Sequence, residues 1–167
     1  MVIKKSEVVT QNVPLEVTFI QPSSREKPKI VFTNGCFDLL HIGHLFLLKK
    51  AKELGDILIV GVDSDRSVKS LNKKPRRPIN DEITRSEILK SIKLVDQVII
   101  FDNLLDLIKD IKPDILVKGG DYANSKIVGS EFIKSYGGKI VIIPYLEGNS
   151  TTKLIHKIYE RMEQHYE

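Results

Sequence analysis

The sequence predicts an α/β protein: a Rossmann-like, doubly wound sheet of about five parallel strands with helices on both faces. Two observations carry this. Short apolar runs rich in β-branched residues recur along the chain, and amphipathic helical patterns separate them. The runs are Ile30-Val31-Phe32, 57–62, 98–101, Ile115-Leu116-Val117 and 140–143. Each is continuous rather than alternating, as strands covered on both faces require. Strand alternating with helix, joined by right-handed crossovers, gives a parallel sheet.

The helical patterns span 43–54, 81–92, 104–111, 130–136 and 151 to about 162. Gly55 marks a stop for the first, and Asp81 is placed to cap the second. Pro113 follows the third where it could not continue it, and Gly137-Gly138 ends the fourth. Residues 1–28 are polar, contain Pro14, Pro22 and Pro28, and read as a lead-in arm with short apolar alternation over 13–20. The domain proper is 29–167.

At 167 residues, 41% hydrophobic and 29% charged, the chain has the balance of an ordinary globular domain, large enough to bury a core unaided. One cysteine, Cys36, cannot form an internal disulfide, which suits a reducing cytoplasm. No leader-like or membrane-length apolar run is visible, so neither export nor a membrane partner is expected. The net charge of +4 draws on Lys69, Lys73, Lys74, Arg76 and Arg77. With no tryptophan and no aromatics interleaved there, the cluster fits a small phosphorylated molecule better than nucleic acid. It reads as a loop after the second strand that closes over phosphates.

In doubly wound sheets, ligands bind outside the carboxyl ends of the strands. The first run leads into Thr33-Asn34-Gly35-Cys36-Phe37-Asp38 and then His41-Ile42-Gly43-His44 at a helix start. Free backbone N–H groups and the helix dipole favour a phosphate there. His41 and His44, three apart, share a face, and Gly43 leaves room for a phosphate to approach. Two imidazoles there would stabilise charge at an α-phosphorus and on departing pyrophosphate. No further His or Cys stands at a zinc spacing, so no protein-bound metal is expected. Neither a P-loop nor a Gly-x-Gly-x-x-Gly pattern is present. Two more strand ends look alike: Lys118-Gly119-Gly120-Asp121-Tyr122, and Glu147-Gly148-Asn149-Ser150-Thr151-Thr152 before the last helix. The first reads equally as a plain glycine turn. In the second, Ser150 or Thr151 is both a cap candidate and an anion donor.

Together these segments resemble the cytidylyltransferase-like branch of the nucleotidyltransferase α/β phosphodiesterase superfamily, over nearly all of 30–158. The motif 33–44 matches the family's first signature, and 147–152 its last. Within that branch the likeness is greatest to the heptose 1-phosphate adenylyltransferases, through Thr33 to Asp38, Arg77-Pro78-Ile79-Asn80 and Leu116 to Tyr122. Those enzymes are often fused to a sugar kinase; 167 residues leave no room for one, so a stand-alone form is expected. Glycerol-3-phosphate cytidylyltransferases share the first motif and the Ser-Thr-Thr ending. Their Arg-Thr-Glu-Gly reads Tyr145-Leu146-Glu147-Gly148 here, so the arginine is missing.

The resemblance implies AMP transfer from ATP to a heptose 1-phosphate, giving ADP-heptose and pyrophosphate for lipopolysaccharide or a related surface glycan. Magnesium is carried with ATP, and the protein is expected as a homodimer. By this likeness His41, His44 and Lys118 are catalytic, with His44 on the α-phosphate. Thr33, Asn34, Gly35, Phe37, Gly43, Gly119, Asp121, Ser150, Thr151 and Thr152 hold the nucleotide. Asp38, Arg76 and Arg85 meet the sugar phosphate. A non-catalytic nucleotide-binding module is the competing class, but the chain keeps both motif histidines.

Overall fold

A computed structural model of the chain describes residues 27–71, 76–120, 127–144 and 146–164. The arm expected at 1–28 lies almost wholly outside them. Among the described residues five strands form one parallel sheet in the order β3-β2-β1-β4-β5: β1 Ile30–Gly35, β2 Ile57–Asp63, β3 Gln97–Phe101, β4 Ile115–Gly119 and β5 Lys139–Ile143. The helices are α1 Ile42–Lys52, α2 Asp65–Ser70, α3 Glu82–Lys90, α4 Leu104–Ile111, α5 Ser130–Ser135 and α6 Thr151–Glu163. β1 is central, and the chain winds outward from it first through β2 and β3, then through β4 and β5. The direction of winding therefore reverses between β1 and β4. That reversal opens a crevice at their carboxyl ends.

Both faces of the sheet are covered, which is why each strand contains a continuous apolar run. Val31, Leu58, Val60, Val62 and Val117 pack with Leu48 and Ala51 of α1 and Leu89 of α3. Phe32, Ile59 and Leu116 pack on the other face with Ile108 of α4 and Ile133 of α5. No helix among the described residues is long and apolar enough to cross a membrane.

The expected caps form at α3 and α6, where Asp81 accepts from the Thr84 N–H and Ser150 from the Lys153 N–H. Pro113 does follow α4, after Lys112 closes it in a left-handed conformation. Gly137 takes φ 85° and ends α5, its neighbour Gly138 donating back to the Ile133 carbonyl.

Three local expectations are corrected. Helix α1 stops at Lys52, and Gly55 is not its left-handed cap. A Cβ at Gly55 would lie 2.7 Å from Val31 Cγ2 and 2.8 Å from the Lys29 carbonyl, so close packing on β1 requires glycine there. The basic segment does not begin as a loop, because Lys69 is in α2, a short helix capped by Ser64. Thr33, Asn34 and Gly35 extend β1 beyond its apolar run, paired with Val60, Gly61 and Val62.

Gly61 is a sharp test of this packing. A Cβ there would sit 3.0 Å from the rings of Phe32 and Phe101 and 3.1 Å from Asn34 Cβ. Gly61→Ala is expected to lower unfolding free energy by about 1–3 kcal/mol in urea titration, the range for overpacking a core. An unchanged midpoint would contradict the described packing.

Candidate active site

The junction between β1 and α1 is built from a strained turn. Phe37 has φ 49°, the left-handed region that an aromatic residue rarely enters, yet its ring is buried. The turn carries the chain to His41, which is extended and serves as N-cap of α1 without a side-chain hydrogen bond. The His44 and Leu45 N–H groups donate to the His41 carbonyl. Ahead of them the Ile42 and Gly43 N–H groups have no acceptor among the described residues, so the first turn of α1 keeps free donors and the partial positive charge of a helix start.

This helix start opens on a cavity of about 330 Å³ at the carboxyl ends of β1, β2, β4 and β5. Asn34, Gly35, Cys36, Phe37, His41, Gly43 and His44 line one side, and Gly119, Ser150, Thr151 and Thr152 line another. Arg77 and Asp63 contribute the charged groups, while Phe46, Leu47, Leu71, Ile143, Pro144 and Leu146 form apolar wall. A smaller cavity of about 220 Å³ lies at the opposite ends of the strands, beside Lys29 and Asp114, away from these helix starts.

The two imidazoles stack, with ring centroids 3.8 Å apart and planes at 24°, and Phe37 leans on His44 at 5.2 Å. A Cβ at Gly43 would lie 3.0 Å from the His41 ring, so glycine permits the stack. Both Nδ1 atoms are buried and have no hydrogen-bond partner among the described residues. Burial lowers the His44 pKa from 6.5 to about 4, helped by His41 and Arg77 and opposed by Asp38. Burial, then Arg77, lowers that of His41. The pair is therefore neutral near pH 7. Burial raises the Cys36 thiol above its ordinary value, with Arg85 opposing, so Cys36 stays protonated.

Beneath the cavity lies a polar network. The buried Asp38 carboxylate accepts from Arg77 Nε at 2.7 Å and from the Ile79 and Asn80 N–H groups at 2.9 Å. Asn80 Nδ2 donates to the Asp38 carbonyl at 3.0 Å. The peptide between Arg77 and Pro78 is cis. Arg85 is fully buried and donates to the Asn80 and Cys36 carbonyls and to Asp65 Oδ1. The segment before α3 is thereby fastened to the turn after β1.

Of the residues expected at the site, the structure brings Asn34, Gly35, Phe37, His41, Gly43, His44, Gly119, Ser150, Thr151 and Thr152 to one cavity. Four others sit behind its wall. Thr33 is buried within β1. Lys118 is buried and donates to Asn34 Oδ1, so it reaches the cavity through Asn34. Asp38 and Arg85, expected on the sugar phosphate, are occupied in the network just described. Arg76 is exposed and does not line the cavity, whereas its neighbour Arg77 does. The Arg77-Pro78-Ile79-Asn80 segment was recognisable, but sequence alone does not say which arginine turns inward. Asp121, Lys73 and Lys74 lie outside the described residues, and Asp63 was not anticipated.

An uncapped helix start beside paired imidazoles, at the reversal point of a parallel sheet, is an arrangement able to receive an anion in an α/β protein. The cytidylyltransferase-like family profile matches residues 32–157, and the chain belongs to that family. It is a nucleotidyltransferase by that membership. It is 49% identical over 157 residues to bifunctional protein HldE of Koribacter versatilis, covering 93% of this chain and 32% of the relative. It is 46% identical over 147 residues to bifunctional protein HldE of Syntrophotalea carbinolica, covering 87% and 30%. The chain thus spans about a third of these curated relatives. Among solved structures, a lipopolysaccharide core biosynthesis protein from Thermoplasma volcanium superposes with TM-score 0.59 at 30% identity, over 74% of this chain and all of the other. Pantoate-beta-alanine ligase from Francisella tularensis shares the fold at TM-score 0.53 and 22% identity, over 83% of this chain and 72% of the ligase.

The neutral, half-buried His44 has a consequence for stability. Its folded pKa of about 4 lies below the ordinary 6.5, so between those values the unfolded chain binds more protons. Stability from this group is complete above pH 6.5 and falls as pH drops towards 4. At 1.36 kcal/mol per unit the loss is on the order of 3 kcal/mol. His44→Asn is expected to remove that part of the pH dependence in denaturant titrations at pH 7 and pH 4. Equal pH dependence in both proteins would contradict a neutral His44 with a lowered pKa.

Proposed function

We propose that the chain transfers AMP from ATP to a heptose 1-phosphate, forming ADP-heptose and pyrophosphate for surface-glycan synthesis. The observation that carries the transfer chemistry is the stacked His41–His44 pair at the uncapped start of α1. The choice of substrate draws support from the likeness of Lys118-Gly119-Gly120-Asp121-Tyr122 to the adenylyltransferases, and from the absence of arginine at Tyr145. It is also in keeping with a structural relative described as a lipopolysaccharide core biosynthesis protein.

In this reading an oxygen of the sugar phosphate attacks the α-phosphorus in line. The bond between that phosphorus and the α–β bridging oxygen breaks, and pyrophosphate leaves with the electron pair. The attacking phosphate is already an anion, so no base is needed. Catalysis is positioning and charge stabilisation. The α1 N–H groups and the two imidazoles donate to the triphosphate, His44 to the α-phosphate. The Ser150, Thr151 and Thr152 turn supplies donors across the cavity. Ser150 both caps α6 and lines the site, as an anion-binding helix start allows. Lys118 acts as a positioning residue by holding Asn34. In this reading magnesium enters as part of the nucleotide substrate.

A pyrophosphate-release panel crossing ATP, CTP, GTP and UTP with heptose 1-phosphate, glycerol 3-phosphate and other sugar phosphates tests this. Turnover is expected with ATP and heptose 1-phosphate. Activity confined to CTP with glycerol 3-phosphate would replace the proposal by the cytidylyltransferase reading. His44→Ala should lower turnover on the order of 10²-fold or more, the typical loss of one preorganised donor. Near-normal turnover in that variant would remove the proposed role of His44.

A further inference from the structure

The charge of the cavity wall leaves a question that the histidines do not answer. A nucleoside triphosphate and a phosphorylated acceptor bring several negative charges, while the imidazole pair is neutral near pH 7. Among the described residues lining the cavity, Arg77 is the only permanent cation, and Asp63 is an acid.

The setting of Arg77 is specific. Its side chain is 12% exposed, and its Nε donates to Asp38, whose carboxylate is fully buried. Asp38 cannot swing away, because the Ile79 and Asn80 N–H groups also hold it. Neither Nη group makes a hydrogen bond among the described residues. Anchoring a guanidinium through Nε leaves its two-nitrogen edge free, a planar fork that matches two oxygens of a phosphate. Asp38 already receives two backbone donors, so it uses one of the five donors of Arg77. The remaining donors have no acceptor among the described residues, and Arg77 lines the cavity in which a polyanion would sit.

We propose that Arg77 is the phosphate-oxyanion anchor of this cavity and that Asp38 is the positioning residue that aims it. The proposal rests on the nucleotidyltransferase reading and adds a ligand contact to it. The oxyanion belongs either to the nucleotide polyphosphate or to the acceptor phosphate. Both present the same chemistry to the fork.

Calorimetric titration of the full chain with inorganic pyrophosphate and with ATP, beside KM and kcat for heptose 1-phosphate, separates the two sources. Arg77→Gln is expected to weaken one of them on the order of 10- to 100-fold, as for loss of charge-assisted hydrogen bonds. Weakened pyrophosphate and ATP binding assigns the fork to the nucleotide. A raised KM for the sugar phosphate, with ATP affinity and kcat intact, assigns it to the acceptor. Asp38→Asn should weaken the same ligand although it lines no part of the cavity, and the double variant should be no worse than Arg77→Gln alone.

Wild-type affinity for pyrophosphate, ATP and acceptor in Arg77→Gln, with only the melting temperature lowered, would overturn the proposal and leave Arg77 as a structural partner of Asp38. Arg77→Lys covers the case of an unstable glutamine variant. It keeps the charge but not the fork, so about a tenth of normal affinity is expected, and full affinity would count equally against the proposal. Pyrophosphate binding needs no acceptor. Absence of turnover with every sugar phosphate would therefore end the substrate assignment while leaving the binding arms readable.

Discussion

The site depends on one buried carboxylate. Asp38 stands in the turn between β1 and α1, and it gathers donors from a segment some forty residues further along the chain. A carboxylate removed from water is unstable unless hydrogen-bonded and paired, so its surroundings must supply donors. Here they come from two backbone N–H groups and one guanidinium. Satisfying Asp38 therefore fixes the path of the chain from Arg77 to Asn80. Arg85 fastens the same segment from below through the Asn80 and Cys36 carbonyls. The segment from Arg77 to Asn80 and the turn after β1 are thereby made into one piece beside the cavity.

Above this floor the histidines follow from the geometry of α1. Stacking at 3.8 Å forbids two positive charges side by side, and burial disfavours even one. Neutral imidazoles donate hydrogen bonds without demanding a counterion in the free protein. An incoming polyphosphate changes this balance, because negative charge nearby favours the protonated form. The histidine pair is thus ready for an anion without itself carrying the opposing charge. Phe37 contributes strain to the same end: its left-handed backbone turns the strand into the helix start, while its ring supports His44.

Much of this was legible in the sequence, and the missing parts share a cause. Continuous runs such as 57–62 and 140–143 announced strands, since only a sheet covered on both faces makes such runs favourable. Asp81 and Ser150 announced helix starts by local chemistry. Helix α2 did not announce itself, being six residues long and mostly polar, with Val68 its one buried residue. Thr33, Asn34 and Gly35 read as loop because polarity hides a strand whose neighbours supply the pairing. Arg76 and Arg77 are indistinguishable until Asp38 selects between them. Arg85 looked like a ligand contact, yet its guanidinium ties together three elements distant in sequence. Periodicity and caps are local properties. The partner of a buried charge is not.

The central claim is that a phosphate binds at the start of α1 against a neutral histidine pair. Titrating ¹⁵N-histidine-labelled protein by NMR, with and without inorganic pyrophosphate, tests it most directly. The account predicts that His44 titrates near 4 in the free protein and at a distinctly higher pH with pyrophosphate bound, and that His41 shifts with it. Unchanged His41 and His44 resonances under saturating pyrophosphate, or a free His44 titrating at its ordinary value of 6.5, would contradict it.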